Sequence, residues 1–133
     1  VVVAGDRARG PEIDNVVVGW KDVREARRAL ADAMPLLQRA RTVSVLTVSE
    51  GDHRSEQRSL NEVTAWLKRH GVTARNELIA PDRSHALTEL TAERDADLLV
   101  TGCYGHHRGM ELLFGGMTRR LLEADQVTRF FSH

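Results

Sequence analysis

The sequence has one cysteine, Cys103, so no internal disulfide framework braces it, and that usage fits a reducing compartment. It also lacks an excess of either charge, with 19 Lys and Arg set against 19 Asp and Glu. Without net charge there is no electrostatic drive toward nucleic acid or an anionic membrane surface, and neither is expected as a partner. No apolar run approaches the roughly 20 residues that a bilayer span needs, and no signal-peptide pattern opens the chain. These absences set the expectation of a cytoplasmic domain.

What is present is a periodic pattern. The 133 residues, 41% hydrophobic and 29% charged, suit one domain with a single core. Val16-Val17-Val18-Gly19-Trp20 is a short continuous apolar run, as in a strand buried on both faces. Asp22 stands where a helix N-cap belongs. Ala26, Leu30, Ala33 and Leu37 then recur on one helical face, leaving Glu25, Arg28, Asp32 and Arg39 to solvent. Pro35 is expected to kink the last turn of that helix. Val43, Val45, Leu46 and Val48 form the second strand, broken by Gly51-Asp52-His53. Leu60, Val63 and Leu67 mark a second helix, with Ser59 and Glu62 at capping-box spacing and a stop at His70-Gly71. Val72 to Ala80 alternates as an outer strand ending at Pro81. Ser84 is placed to cap a third helix with Leu87 and Leu90 inward. Leu98 to Thr101 is the fourth strand and Thr118 to Ala124 the fourth helix. Val127 to Ser132 is the last strand, where the adjacent Phe130 and Phe131 face opposite sides of the sheet.

Alternation of strand and helix at this spacing implies right-handed crossovers and a parallel sheet with helices on both faces, an α/β fold. Ligands in such sheets sit beyond the carboxyl ends of the strands, where strand order reverses. Two loops there are chemically distinctive: Trp20-Lys21-Asp22 after the first strand, and the glycine-punctuated stretch after the fourth. Ahead of this domain, which runs from 15 to 133, residues 1–14 hold a short strand, Val1-Val2-Val3-Ala4, and a linker from Gly5 to Pro11. The short strand is either an added edge strand or the tail of a preceding domain in a longer parent.

The standard nucleotide motifs are missing. There is no Gly-x-x-x-x-Gly-Lys-Ser/Thr string, and Gly19-Trp20-Lys21 does not begin a Gly-x-Gly-x-x-Gly fingerprint. The clustered acids of a receiver domain are not there either: Asp22 and Asp82 are the only candidates, and Lys21 intrudes. What remains is Gly102-x-x-Gly105, nine residues, then Gly115-Gly116. A strand, a glycine loop and a helix start present backbone N–H groups in the way a phosphate cradle needs.

Gly102-Cys103-Tyr104-Gly105-His106, with Gly115-Gly116-Met117-Thr118-Arg119-Arg120-Leu121-Leu122, resembles the universal stress protein family. The first-helix text Arg24-Glu25-Ala26-Arg27-Arg28-Ala29-Leu30-Ala31 resembles it too, and the likeness runs over about residues 15 to 133. The resemblance implies a five-stranded parallel sheet of order 3-2-1-4-5, Rossmann-like in the manner of the adenine-nucleotide alpha-hydrolases. It also implies a homodimer through the last strand, Val127 to Ser132, or pairing with a second similar domain. In members of the family that bind ATP, the glycine loop holds the phosphates and the ends of the first strands hold adenine. The implied ligand contacts are Gly19, Lys21 and Asp22 after the first strand, and Gly102, Gly105, His106, Gly115, Gly116, Met117 and Thr118 along the loop. ATP, with Mg, is the implied cofactor. Two positions depart from the ATP-binding pattern. Gly116 replaces the usual Ser/Thr and supplies an N–H without a hydroxyl, although Thr118 carries one. Lys21 stands at the usual acid, with Asp22 one step on. Losing one hydroxyl from a phosphate cradle removes about 1–2 kcal/mol of charge-assisted bonding.

Other residues invite sharper readings. His106, His107 and Arg108 beside Cys103 would lower a thiol pKa, and Cys103-x-x-His106 has metal-site spacing, but no further ligand follows at a fitting interval. Trp20 and Trp66 read as packing residues. No Ser/His/Asp constellation or carboxylate pair assembles, so no catalytic residue is assigned. The expected function is a stress-response domain, a non-catalytic binding and dimerisation module with a partly degenerate ATP-type loop. The alternatives are an intact ATP-binding switch, or a slow ATPase for which no water-activating residue can be named.

Overall fold

Val16, Val17 and Val18 are each no more than 2% exposed, because the strand they form has neighbours on both sides and helices over both faces. The structure is a computed structural model, and it describes residues 2–3, 12–80, 86–102 and 127–132. Its elements are β1 (Val2–Val3), β2 (Asn15–Gly19), α1 (Arg24–Asp32), α2 (Met34–Leu37), β3 (Thr42–Val48), α3 (His53–Arg69), β4 (Ala74–Ile79), α4 (Ala86–Glu93), β5 (Leu98–Gly102) and β6 (Thr128–Ser132). The sheet order is β1-β6-β5-β2-β3-β4. From β6 to β4 every pairing is parallel, giving the expected five-stranded 3-2-1-4-5 order, while β1 joins β6 antiparallel.

Alternation along the strands divides the core in two. Val16, Val18, Val45, Leu98 and Val100 face α1, α2 and α3, where Leu30, Leu37, Leu60 and Leu67 meet them. Val17, Leu46 and Leu99 point the other way, toward Leu90 on α4 and Ala96 beyond its end. The whole Ala26, Leu30, Ala33, Leu37 stripe is buried, as the periodicity requires. Each buried leucine contributes about 1.5–3 kcal/mol relative to exposure. At the amino ends of the strands, the Asp97 carboxylate accepts the N–H groups of Asp14 and Asn15 at 3.0 and 2.8 Å, fixing β5 against β2.

The helix starts differ from expectation. Val23, not Asp22, is the N-cap of α1, with no side-chain cap; Asp22 instead pairs with Arg27. The chain does not kink at Pro35 but breaks before it, and Pro35 sits in the first turn of α2, where its missing N–H costs nothing. The second long helix begins at His53, so Ser59 and Glu62 lie inside it and form no capping box. Asp52 is its cap, Oδ1 accepting the Ser55 N–H at 3.2 Å. The first turns of α3 are polar, so apolar periodicity becomes visible only at Leu60. Ser84 and the expected helix from Thr118 to Ala124 lie outside the described residues.

β1 sets Val2 against Phe130 and Val3 against Arg129. The outer edge of β6, which the sequence left for a second copy or a second domain, carries β1 there. Among the described residues no helix is long and apolar enough to cross a membrane.

Candidate functional site

β2 is followed in the chain by β3 on one side, and β5 later joins it on the other, so the strand order reverses at β2. A crevice of about 470 Å³ opens at the carboxyl ends of these strands. Its lining comes from the end of β2 and the turn after it, the first turns of α1 and α3, the end of β3, the β3–α3 loop and the end of β5.

Trp20 forms a fixed wall. Its N–H donates to the Leu46 carbonyl at 2.8 Å, its indole Nε1–H donates to Ser59 Oγ at 3.0 Å, and its carbonyl accepts from the Thr47 hydroxyl at 2.9 Å. The ring is buried in the core shared by α1 and α3, as a packing tryptophan should be. Trp66 also packs there, with its ring centroid 4.2 Å from that of His70.

The β3–α3 loop is tied down from α3. Glu56 accepts the Ser49 hydroxyl and the Glu50 N–H, each at 2.6 Å. Gly51 follows at φ +117°, a left-handed conformation that a side chain would strain, and donates its N–H to Ser49 Oγ at 3.1 Å. From this anchored loop Glu50 reaches across to Lys21, whose Nζ donates to both carboxylate oxygens at 2.7 and 2.9 Å.

Gly102, at the end of β5, meets α1. A Cβ there would lie 2.6 Å from the Ala26 nitrogen and 2.8 Å from the Glu25 carbonyl carbon. The glycine therefore lets the first turn of α1 seat on the strand end, a packing reason for a residue the sequence suggested for the phosphate loop. Beside it Thr101, 5% exposed, lines the crevice. Among the described residues its hydroxyl makes only a 3.5 Å contact to the Gly102 carbonyl, too long to satisfy it.

Of the expected contacts, Gly19, Lys21, Asp22 and Gly102 come together on this crevice. Asp22 is turned toward Arg27 and Lys21 toward Glu50. Gly105, His106, Gly115, Gly116, Met117 and Thr118, with Cys103, lie outside the described residues. The sequence reading missed Thr47, Glu50, Glu56, Ser59 and Thr101. Thr101 had a signal, a polar side chain at the carboxyl end of a buried strand; the others are brought in by packing that no local pattern displays. The lining holds four carboxylates, Asp22, Glu50, Asp52 and Glu56, and one ammonium, that of Lys21, which meets Glu50. Such a lining suits hydrogen-bond donors, such as sugar hydroxyls and an exocyclic amine, better than phosphate.

No protein-family model matches the sequence, and no curated protein does. Solved structures do match. One, a universal stress protein in complex with cAMP, is 22% identical with a TM-score of 0.68, over 91% of this chain and 97% of that one. Universal stress protein UspA from Lactobacillus plantarum is 14% identical with a TM-score of 0.72, over 93% of this chain and 100% of its own. A universal stress protein from Archaeoglobus fulgidus is 20% identical with a TM-score of 0.70; the match takes in 90% of this chain but 43% of that longer one. The parallel five-stranded 3-2-1-4-5 sheet with helices on both faces is the fold of these universal stress protein structures.

Proposed function

We propose that the chain is a universal stress protein-type stress-response domain, a non-catalytic module that binds an adenine nucleotide in the crevice and associates through the β6 edge. The crevice at the strand-order reversal carries this reading: its wall is fixed by the hydrogen bonds of Trp20, and the Thr101 hydroxyl, which has only a 3.5 Å contact among the described residues, lines it. A solved relative of the same fold that holds cAMP supports it. The described half of the crevice fits the nucleoside, since its carboxylates and hydroxyls match ribose and base donors. The phosphates, and the Mg that ATP carries, are assigned to the loop from Gly105 to Thr118, where Gly116 offers an N–H but no hydroxyl.

A non-catalytic role is supported by how the crevice carboxylates are engaged. Glu56 holds the loop, Glu50 is paired with Lys21, and Asp22 with Arg27. A general base needs a carboxylate poised on a water, whereas among the described residues these three are held on the loop, on Lys21 and on Arg27, keeping only spare lone pairs for ligand donors. ADP release from ATP is expected not to exceed that of a loop variant.

Calorimetric titration with ATP plus Mg, and separately with cAMP, tests the reading. Saturable binding is expected at physiological nucleotide concentrations, and Gly105→Val should weaken ATP by blocking the backbone's approach to phosphate. No heat from either nucleotide at low-millimolar concentration would sink it.

A further inference from the structure

We propose that the outer face of α3 is a self-association surface, on which a second copy of this chain lays its own α3 antiparallel about a two-fold axis beside Trp66. This goes beyond the nucleotide reading above and uses a different part of the fold from the β6 edge. α3 packs on β3 and β4 through Leu60, Val63 and Leu67, whereas β6 lies toward the other side of the sheet.

Away from those buried residues the helix carries Glu62, Trp66 and Arg69 along one side. Residues seven apart return to nearly the same direction after two turns, about 10 Å along the axis. Glu62 and Arg69 therefore face the same way and stand too far apart to pair within one helix. Both are exposed, and among the described residues neither forms an ion pair. Arg27, on the facing side of α1, is already paired with Asp22. Between the two charges Trp66 is only half-buried, in contact with the His70 ring and lining a groove of about 360 Å³ together with Leu30 and Val63. A large aromatic left partly in water between unpaired opposite charges has the make-up of an interface centre with a polar rim.

The order of the charges selects the occupant. A second α3 laid antiparallel, with the axis between residues 65 and 66, brings Glu62 to the partner's Arg69 and Arg69 to the partner's Glu62. The same axis sets Trp66 against the partner's Ala65, an exposed small residue that leaves room for the ring. A parallel helix in register would instead set Glu62 on Glu62 and Arg69 on Arg69. The antiparallel two-fold thus draws two opposite-charge pairs and a filled centre from one stretch of sequence. Each pair is exposed and contributes little alone, but the symmetry makes every pair count twice.

The test is sedimentation of the full chain at tens of micromolar protein and low ionic strength, with urea unfolding as a control on fold. Glu62→Arg and Arg69→Glu each put two like-charge pairs across the axis, and each alone should weaken self-association by about tenfold. Mixed together, the two variants carry opposite charges at the facing positions, so their heterodimer should form about as well as the wild-type dimer. The double variant, with both charges exchanged, should self-associate as the wild type does. Recovery in the mixture cannot arise from a change within one chain. A wild type that stays monomeric, or single variants that associate as well as the wild type, overturns the α3 surface. A mixture no more associated than its components does so too. None of these results touches the nucleotide reading, since Glu62 and Arg69 do not line the crevice.

Discussion

Gly102 and Thr101 are chain neighbours with opposite obligations. Gly102 must have no side chain, because the α1 backbone lies 2.6 Å from where a Cβ would be. Backbone cannot give way as a flexible side chain can, so Gly102→Ala should lose about 1–3 kcal/mol of stability, measured as a lowered midpoint in urea. Thr101 contributes little to folding through its hydroxyl, which among the described residues has only a 3.5 Å contact. Thr101→Val keeps the shape and removes a poorly satisfied buried polar group, so stability should hold or rise slightly. Nucleotide affinity should fall by roughly fivefold, about one hydrogen bond, in the same titration that tests the site. Both residues are visible in the sequence, but their reasons are not. Gly102 reads as the first glycine of a loop, whereas its partner is a helix dozens of residues upstream, and a contact of that separation leaves no local trace.

At the scale of elements, the strands were legible and the helix starts were not. Val16 to Val18, Val43 to Val48 and Leu98 to Thr101 are apolar runs because each strand is covered on two faces, and burial writes itself directly into composition. Helix α1 was equally clear along its buried stripe. Its start was misread because Asp22, a good cap by type, is drawn to Arg27. The start of α3 was obscured by polar first turns, one of which carries Glu56. That residue joins helix to loop by hydrogen bonds to Ser49 and Glu50 of 2.6 Å each. Glu56→Ala should destabilise by about 1–3 kcal/mol by leaving the loop's donors without their acceptor. It should also release Glu50 from its fixed position, so hydrogen exchange at the amides of 49–52 should quicken more than exchange in β3. Equal acceleration in both segments would mean that Glu56 supports the whole domain and not the loop.

At the scale of the whole molecule, alternation of strands and helices was enough to imply the parallel sheet, since crossover handedness leaves few arrangements open. The edges were harder to read, because an edge is defined by what is absent beside it. β4 closes one side of the sheet and carries Arg75 and Glu77, charged residues that discourage further strand pairing. The other side ends in β6, with Phe130 and Phe131 in its centre, and is met by Val2 and Val3 of β1. Those two residues pair only with Arg129 and Phe130, so among the described residues Thr128, Phe131 and Ser132 have no partner strand on that side. If β1 stands in for the strand of a second copy, removing it should make the edge available. The described core begins at Val16, with Ile13 packed against it, so deletion of residues 1–11 removes no described core residue. The deleted chain should show a larger dimer fraction than the full chain in sedimentation at tens of micromolar protein. A deleted chain no more dimeric than the full one would show that β6 is not the association edge, and the crevice would then have to function within a single domain.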